Sequence, residues 1–443
     1  MMKHEERVAR LREEILEKVA DYYHLVHEPR PFVPGETFVN YGGRVFDERE
    51  MQEAVDAVLE FWLTDGARVD AFARRLAAYV GVDHVLAVNS GSSGNLVAMS
   101  TLRSHQLERP LQAGDEVITP AATFPTTVAP IVQNQLVPVF VDCRMGTYNI
   151  DADLLDAALS ERTRAIFVPH ILGNPVEMDK VTAFAETHDL YLIEDVCDAL
   201  GSTFEGQQCG SFGDMATFSF YPAHHITTGE GGAVATSDAR LQHIAHSIRD
   251  WGRDCWCNHT SGQDGACGRR FDWEIPGLTE AYDHRYYFTE VGYNLKMTEI
   301  QAAIGLPQLE KLPDFIEARK RNFRLLYEAL KAYETYLILP VWSQKADPAW
   351  FAFTLAVREG APFTRRDLNR YLRDHKVETR YLFAGNILEQ PGYRDIPHRV
   401  ATSLEETNRV LRRAFFIGLY PGMDRPRLDY MLQVFEDFFA VYA

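Results

Sequence analysis

At 443 residues, with 46% hydrophobic and 12% aromatic side chains, the chain is long enough for a large domain and a smaller companion, and apolar enough to pack both. Its 45 basic against 63 acidic residues give a formal charge of -18, which argues against a role on nucleic acid or anionic lipid while leaving room for a local basic pocket. Solubility is the simplest reason for that charge.

The N-terminal run Met1–Val26 alternates charged and apolar residues at helical spacing and lacks the continuous apolar stretch that export or membrane insertion needs, so a cytoplasmic protein with no membrane partner is expected. From His84 to about Ala235, short apolar runs (Val85–Val88, Glu116–Thr119, Val137–Val141, Ala165–Val168 and Tyr191–Asp195) alternate with helical patterns. That rhythm predicts an α/β large domain, a mostly parallel sheet flanked by helices. Ligands of such sheets collect at the carboxyl ends of the strands, where the loops Asn89–Asn95, Thr119–Thr127 and Asp195–Leu200 fall. The glycine- and cysteine-rich stretch Trp251–Phe288 fits neither period and reads as a long excursion on the large domain. Amphipathic spacing over Met297–Tyr333 predicts a helical connection. Beyond it, a strand over Phe351–Val357, a helix over Thr364–His375 opened by a threonine cap and a closing helix over Leu428–Val441 make a smaller α+β domain. The expected division is 1–310 for the N-terminal arm and large domain, with the cysteine-rich insertion at about 251–288, and 311–443 for the connecting helix and small domain.

Asn89-Ser90-Gly91-Ser92-Ser93-Gly94-Asn95 follows a predicted strand and precedes the apolar helix Leu96–Leu102, so its amides and hydroxyls can meet a phosphate at a helix N-terminus; a plain strand-to-helix turn would favour the same residues. Asp195 ends an apolar strand, where a buried carboxylate needs a cationic or hydrogen-bonding partner such as a protonated pyridine nitrogen; a helix cap or surface turn is the alternative. Six cysteines (Cys143, Cys197, Cys209, Cys255, Cys257 and Cys267) in a long acidic chain point to metal or redox chemistry more readily than to disulfides.

Together, Ser90-Gly91-Ser92, Thr123-Phe124, Glu194-Asp195-Val196-Cys197-Asp198-Ala199-Leu200-Gly201-Ser202, the run Ser219–Gly232 and Gly292-Tyr293-Asn294-Leu295-Lys296-Met297-Thr298-Glu299 resemble the sugar aminotransferase and dehydratase family within the fold-type I, aspartate aminotransferase-like pyridoxal-phosphate enzymes. The resemblance implies that Gly91, Ser92, Ser93 and Ser219 hold the cofactor phosphate, that Phe124 stacks on the pyridine ring, and that Asp195 pairs with its nitrogen. It places Asp198 near the ring hydroxyl and Asn294 at the phosphate of a neighbouring subunit, hence a homodimer with shared active sites. His224 falls where the family carries its Schiff-base lysine, and no lysine occurs between Lys180 and Lys296. Imidazole cannot form that imine but can move protons near neutral pH. The departure matches the 3-dehydrases that bind pyridoxamine 5'-phosphate noncovalently, with His224 as base. Of two adjacent imidazoles one is expected to give packing support, and His225 is otherwise a substrate-side candidate. Arg380 and Tyr381, in Arg380-Tyr381-Leu382-Phe383-Ala384-Gly385-Asn386, resemble the segment that faces the diphosphate or sugar, with a surface turn as the alternative.

Cys197, Cys255, Cys257 and Cys267 resemble the ligand set of the iron-sulfur branch, CDP-6-deoxy-L-threo-D-glycero-4-hexulose-3-dehydrases and their TDP-sugar relatives, in which four thiolates hold a 2Fe-2S cluster. The match is closest at Asp254-Cys255-Trp256-Cys257, and the nine residues between Cys257 and Cys267 are its weakest point. Zinc is the alternative occupant of four cysteines, although Cys-x-Cys is less usual for it than Cys-x2-Cys. Cys143 and Cys209 read as small buried hydrophobes. The resemblance therefore implies removal of the C3 hydroxyl of a nucleotide-diphospho 4-keto-6-deoxyhexose, with electrons from an iron-sulfur flavin reductase or a ferredoxin- or flavodoxin-type donor. Its rivals are a cluster-free 3-dehydratase/deaminase, a TDP-4-keto-2,6-dideoxyhexose 3-dehydrase, a transaminase using another lysine and a catalytically dead ligand sensor.

Overall fold

The computed structural model describes residues 3–255, 268 and 270–442. Seven strands build most of the large sheet: β1 (His84–Val88), β2 (Glu116–Pro120), β3 (Val137–Val141), β4 (Thr163–Pro169), β5 (Tyr191–Asp195), β6 (Met215–Ser219) and β7 (Gly232–Thr236). Their spatial order is β1-β7-β6-β5-β4-β2-β3, and Arg399–Val400 adds an eighth strand beside β3. Only β7 runs against its neighbours; the other pairings are parallel. Strands covered on both faces read as continuous apolar runs, and β2, β6 and β7 are buried at every position. The expected mostly parallel α/β sheet is therefore the architecture observed.

Register decides what meets at the carboxyl edge. Pro169 lies beside Asp195, Asp195 beside Thr217, and Ser219 beside Gly232, which in turn pairs with Val88. A side chain at Gly232 would put its Cβ 2.3 Å from the Ser90 carbonyl carbon, so glycine there lets the start of the next helix press against the sheet. That helix, Gly91–Thr101, begins inside the expected loop, because Ser90 caps it by accepting from the Ser93 amide.

The connecting helix runs from Glu299 to Leu330, opened by a capping box in which Thr298 and Gln301 exchange hydrogen bonds. It passes unbroken through residue 310, the expected division. The small unit's antiparallel sheet has the order Leu337–Ile338, Phe353–Val357, Ala414–Ile417, Thr379–Tyr381. Phe353, Leu355, Phe415 and Ile417 pack there against Leu368, Leu372, Met431 and Phe435, the last four from the helices Arg365–Asp374 and Arg425–Ala440. Phe351 does not start the strand as expected, since its amide donates to the Leu172 carbonyl of the large domain. Val39 forms a bridge with Val377, so N-terminal and C-terminal segments interleave. The described parts of the 251–288 excursion hold isolated bridges, Arg253 to Phe288 and Trp273 to Tyr282, instead of regular sheet. Among the described residues no helix is long and apolar enough to cross a membrane.

Candidate active site

A cavity of 410 Å³ opens at the carboxyl ends of β4, β5 and β6, closed on one side by the small unit. Asp195 forms its floor and is 6% exposed. Its Oδ2 accepts from Asn95 Nδ2 at 2.9 Å and Thr127 Oγ1 at 2.8 Å, and its Oδ1 from the Cys197 amide at 3.2 Å. All three donors are neutral, which leaves the carboxylate open to pairing with a cation arriving from the cavity. A pyridinium nitrogen fits that demand. At the opposite wall, Ser90, Gly91 and Ser92 line the N-terminus of the helix Gly91–Thr101, with Ser219 beside them. The Gly91 Cα approaches so closely that an added Cβ would stand 2.5 Å from Ser219 Cβ and 2.9 Å from Cys197 Sγ. A helix N-terminus and serine hydroxyls on one wall, with a carboxylate on another, suit a ligand with a phosphate at one end and a basic ring at the other. Phe124, 49% exposed, stands over the cavity with its ring edge-on to Phe383 at 5.7 Å.

His224 projects into the same space, with Nε2 3.6 Å from Asp198 Oδ1. Its Nδ1 lies 3.3 Å from the Ser219 carbonyl, which can only accept, so the proton sits on Nδ1 and the lone pair on Nε2. Burial pulls the imidazole down to about 4, with Ser219 and Asp195 opposing. Burial, reinforced by the charge of Asp195, pushes Asp198 up to about 7, against the Leu172 amide and the more distant Arg319. The pair is therefore no fixed ion pair at neutral pH: a neutral base faces a carboxyl that readily carries a proton. No lysine is among the described residues that line the cavity.

The mouth is aromatic. Tyr41, Tyr221, Phe351 and Tyr381 surround it, and the Arg380 guanidinium lies over the Tyr41 ring at 4.3 Å while bonding Glu378. Arg380 and Tyr381 thus both face the site from the small unit.

The cavity brings together Gly91, Ser92, Phe124, Asp195, Cys197, Asp198, Ser219, His224, Arg380 and Tyr381. Ser93 is not part of its lining; its hydroxyl accepts from Ser90 Oγ within the cap, and Ser90 takes its place. His225 does not line the cavity: it is 2% exposed and its Nε2 meets the Ala349 carbonyl, the packing role open to one of two adjacent imidazoles. Asn294 is exposed and does not line the cavity. Cys255 is buried next to Asp254, whose carboxylate meets His243 and His284. Cys257 and Cys267 lie outside the described residues. Among the described residues no group of three or more His, Cys, Asp or Glu side chains is arranged to hold a metal ion. Sequence reasoning missed Asn95 and Thr127, which hold Asp195, and, at the aromatic mouth, Tyr41, Tyr221 and Phe351. Asn95 closes the serine-glycine loop and was within reach; Tyr41 and Phe351 carry no local signal.

A mixed sheet with one reversed strand, a helix N-terminus beside an acidic strand end, and a small domain over the carboxyl edge define the fold-type I class of pyridoxal-phosphate enzymes. Residues 45–436 match the DegT/DnrJ/EryC1/StrS aminotransferase family, to which the chain belongs. It is 48% identical to the lipopolysaccharide biosynthesis protein RfbH of Salmonella typhimurium, over 97% of this chain and 98% of that one. It is 45% identical to the dTDP-4-dehydro-2,6-dideoxy-D-glucose 3-dehydratase of Saccharopolyspora spinosa, over 98% of this chain and 94% of that one. The E. coli GDP-4-keto-6-deoxy-D-mannose-3-dehydratase with bound hydrated PLP superposes with a TM-score of 0.80 at 28% identity, covering 90% of this chain and 100% of that one.

Proposed function

We propose that the chain is a pyridoxamine-phosphate-dependent dehydratase that removes the C3 hydroxyl of a nucleotide-linked 4-keto-6-deoxyhexose. The observation that carries this reading is a neutral imidazole, His224, placed between Asp198 and Ser219 in a cavity whose described lining contains no lysine. The two 3-dehydratases named above, one related in sequence and one in structure, support the substrate class. When bound, the aminated cofactor supplies an amine for the sugar's C4 ketone and a ring that takes up electron density as the hydroxyl leaves. Asp195 would hold the ring nitrogen, Ser90, Ser92, Ser219 and the Gly91 amide would hold the phosphate, and Phe124 would cover the ring. His224 Nε2 is the lone pair that would take the C4' proton, and Asp198 can carry a proton within reach of the same nitrogen. The aromatic mouth and Arg380 receive the nucleotide and its diphosphate. Asn294, exposed on each protomer, would complete the phosphate site of the partner in a homodimer.

His224→Asn should abolish exchange of the C4' proton with solvent while cofactor still binds; undiminished exchange would remove His224 as the base. A cofactor found joined covalently to any side chain in the resting protein would overturn the noncovalent reading.

The 2Fe-2S cluster and its reductase or ferredoxin-type donor are proposed on the spacing of Cys197, Cys255, Cys257 and Cys267. Cys197 lines the cavity, whereas Cys255 is buried outside its lining, and the rival reading is a cluster-free dehydratase. Iron and sulfide analysis with a visible spectrum separates the two: Cys255→Ser should bleach the chromophore and lower iron if the cluster is real, and a colourless, iron-free wild-type protein as isolated without air would favour the rival.

A further inference from the structure

Arg319, on the helix Glu299–Leu330, is 1% exposed and makes no ion pair among the described residues. Burying a cation without a counter-charge is costly, so its role must come from its hydrogen bonds. Nη1 donates to the Trp350 carbonyl at 3.2 Å and the Phe351 carbonyl at 2.9 Å, and Nη2 donates to the His224 carbonyl at 3.1 Å. The planar fork thus ties the turn that carries the imidazole to the segment where the chain crosses into the small unit.

Other contacts converge on the same junction. The His224 ring meets the Phe351 ring edge-on at 5.4 Å and 87°, and His225 bonds the Ala349 carbonyl. Ser202 Oγ accepts from the Ala349 amide and donates to the Gly173 carbonyl, and the Phe351 amide donates to Leu172. Gly173, at φ 89°, approaches so closely that a Cβ would stand 2.4 Å from the Ala349 carbonyl oxygen. Burial lowers the Arg319 guanidinium to about 9, with Asp198 opposing, as expected for a cation held by dipoles and not by a bonded carboxylate.

We propose that Arg319 is a positioning residue for His224: by gripping the carbonyls of His224, Trp350 and Phe351 at once, its guanidinium sets where the imidazole points. The proposal rests on the reading of His224 as the base. Lysine retains the charge but, with a compact ammonium, cannot reproduce the fork, so charge and geometry separate in one substitution.

The test compares wild type with Arg319→Lys and Arg319→Gln in the full-length protein, using histidine labelled at Cε1 and His224→Asn to assign the His224 resonance. Both variants should shift or split that resonance while binding pyridoxamine phosphate with unchanged affinity. They should slow C4' proton exchange roughly ten- to hundredfold in kcat with little change in KM, as displacement of a catalytic group does. A His224 resonance unchanged in both folded variants overturns the proposal, as does wild-type kcat in Arg319→Lys. Loss of folding in both would also overturn it, because Arg319 would then be a general structural residue. If His224→Asn itself retains exchange, the functional reading fails, and the resonance comparison still decides whether Arg319 aims the ring.

Discussion

Thr127→Val tests how much the hydrogen bonds on the Asp195 carboxylate stabilise the floor of the cavity. The substitution preserves volume and deletes one donor, the hydroxyl 2.8 Å from Asp195 Oδ2. Asp195 is 6% exposed, so water does not readily replace that donor. A hydrogen bond to a charged group contributes about 1.5–3 kcal/mol, and Asn95, itself held by Thr217, retains the second contact to the same oxygen. The expected loss is therefore about 2 kcal/mol in urea unfolding of the cofactor-free protein. Pairing with a pyridinium ion compensates a weakened site, so part of that loss should be recovered on saturation with pyridoxamine phosphate. Thr127→Ser, which keeps the hydroxyl, should stay within about 1 kcal/mol of wild type. Wild-type stability in Thr127→Val, or equal losses in the serine and valine variants, would refute the claim that the hydroxyl stabilises the carboxylate.

The buried pair His224 and Asp198 makes opposite contributions to pH dependence. His224, lowered from 6.5 to about 4, stays neutral in the fold, so its share of stability is full above pH 6.5 and falls by about 3 kcal/mol as pH drops toward 4; His224→Asn should flatten that limb of a stability profile. Asp198, raised from 3.8 to about 7, binds a proton more tightly in the fold, so its cost grows between pH 4 and 7 and is complete above; Asp198→Asn should stabilise the cofactor-free protein at pH 8 by up to about 4 kcal/mol in chemical denaturation. Gly173→Ala meets both an unfavourable φ and the Ala349 oxygen, and should cost more than about 2 kcal/mol in the same assay. Glu194 is fully buried and accepts from the Gly210, Phe212 and Gly213 amides and from His170, whose Nδ1 accepts from Val176 and so leaves the proton on Nε2. Glu194→Gln turns one acceptor into a donor facing donors and should cost about 3–5 kcal/mol, read by thermal or urea unfolding.

The strands were legible because each is a compact apolar run, and Asp195 because it ends one. His224 was legible because a motif surrounds it. Its neighbour was not: whether His225 faces the cavity depends on the geometry of a single turn and on the Ala349 carbonyl, which lies 124 residues away in sequence. Arg319 looks like any charged residue on an amphipathic helix, and only the close approach of three carbonyls distinguishes it. The N-cap illustrates a finer limit, since a run of serines states that a cap exists without stating which hydroxyl serves it and which faces the ligand. The helix over 365–374 shows the opposite case, where Thr364 and Asp367 form a capping box from local sequence alone.

Because Arg399–Val400 is hydrogen-bonded to β3 of the large sheet, a clamshell opening about the long helix would have to strain or break that backbone pairing. Traffic into and out of the site must then be governed by side-chain gates at its rim, and turnover in this chain should respond to the bulk of Tyr41, Tyr221 and Tyr381 far more than to hinge flexibility.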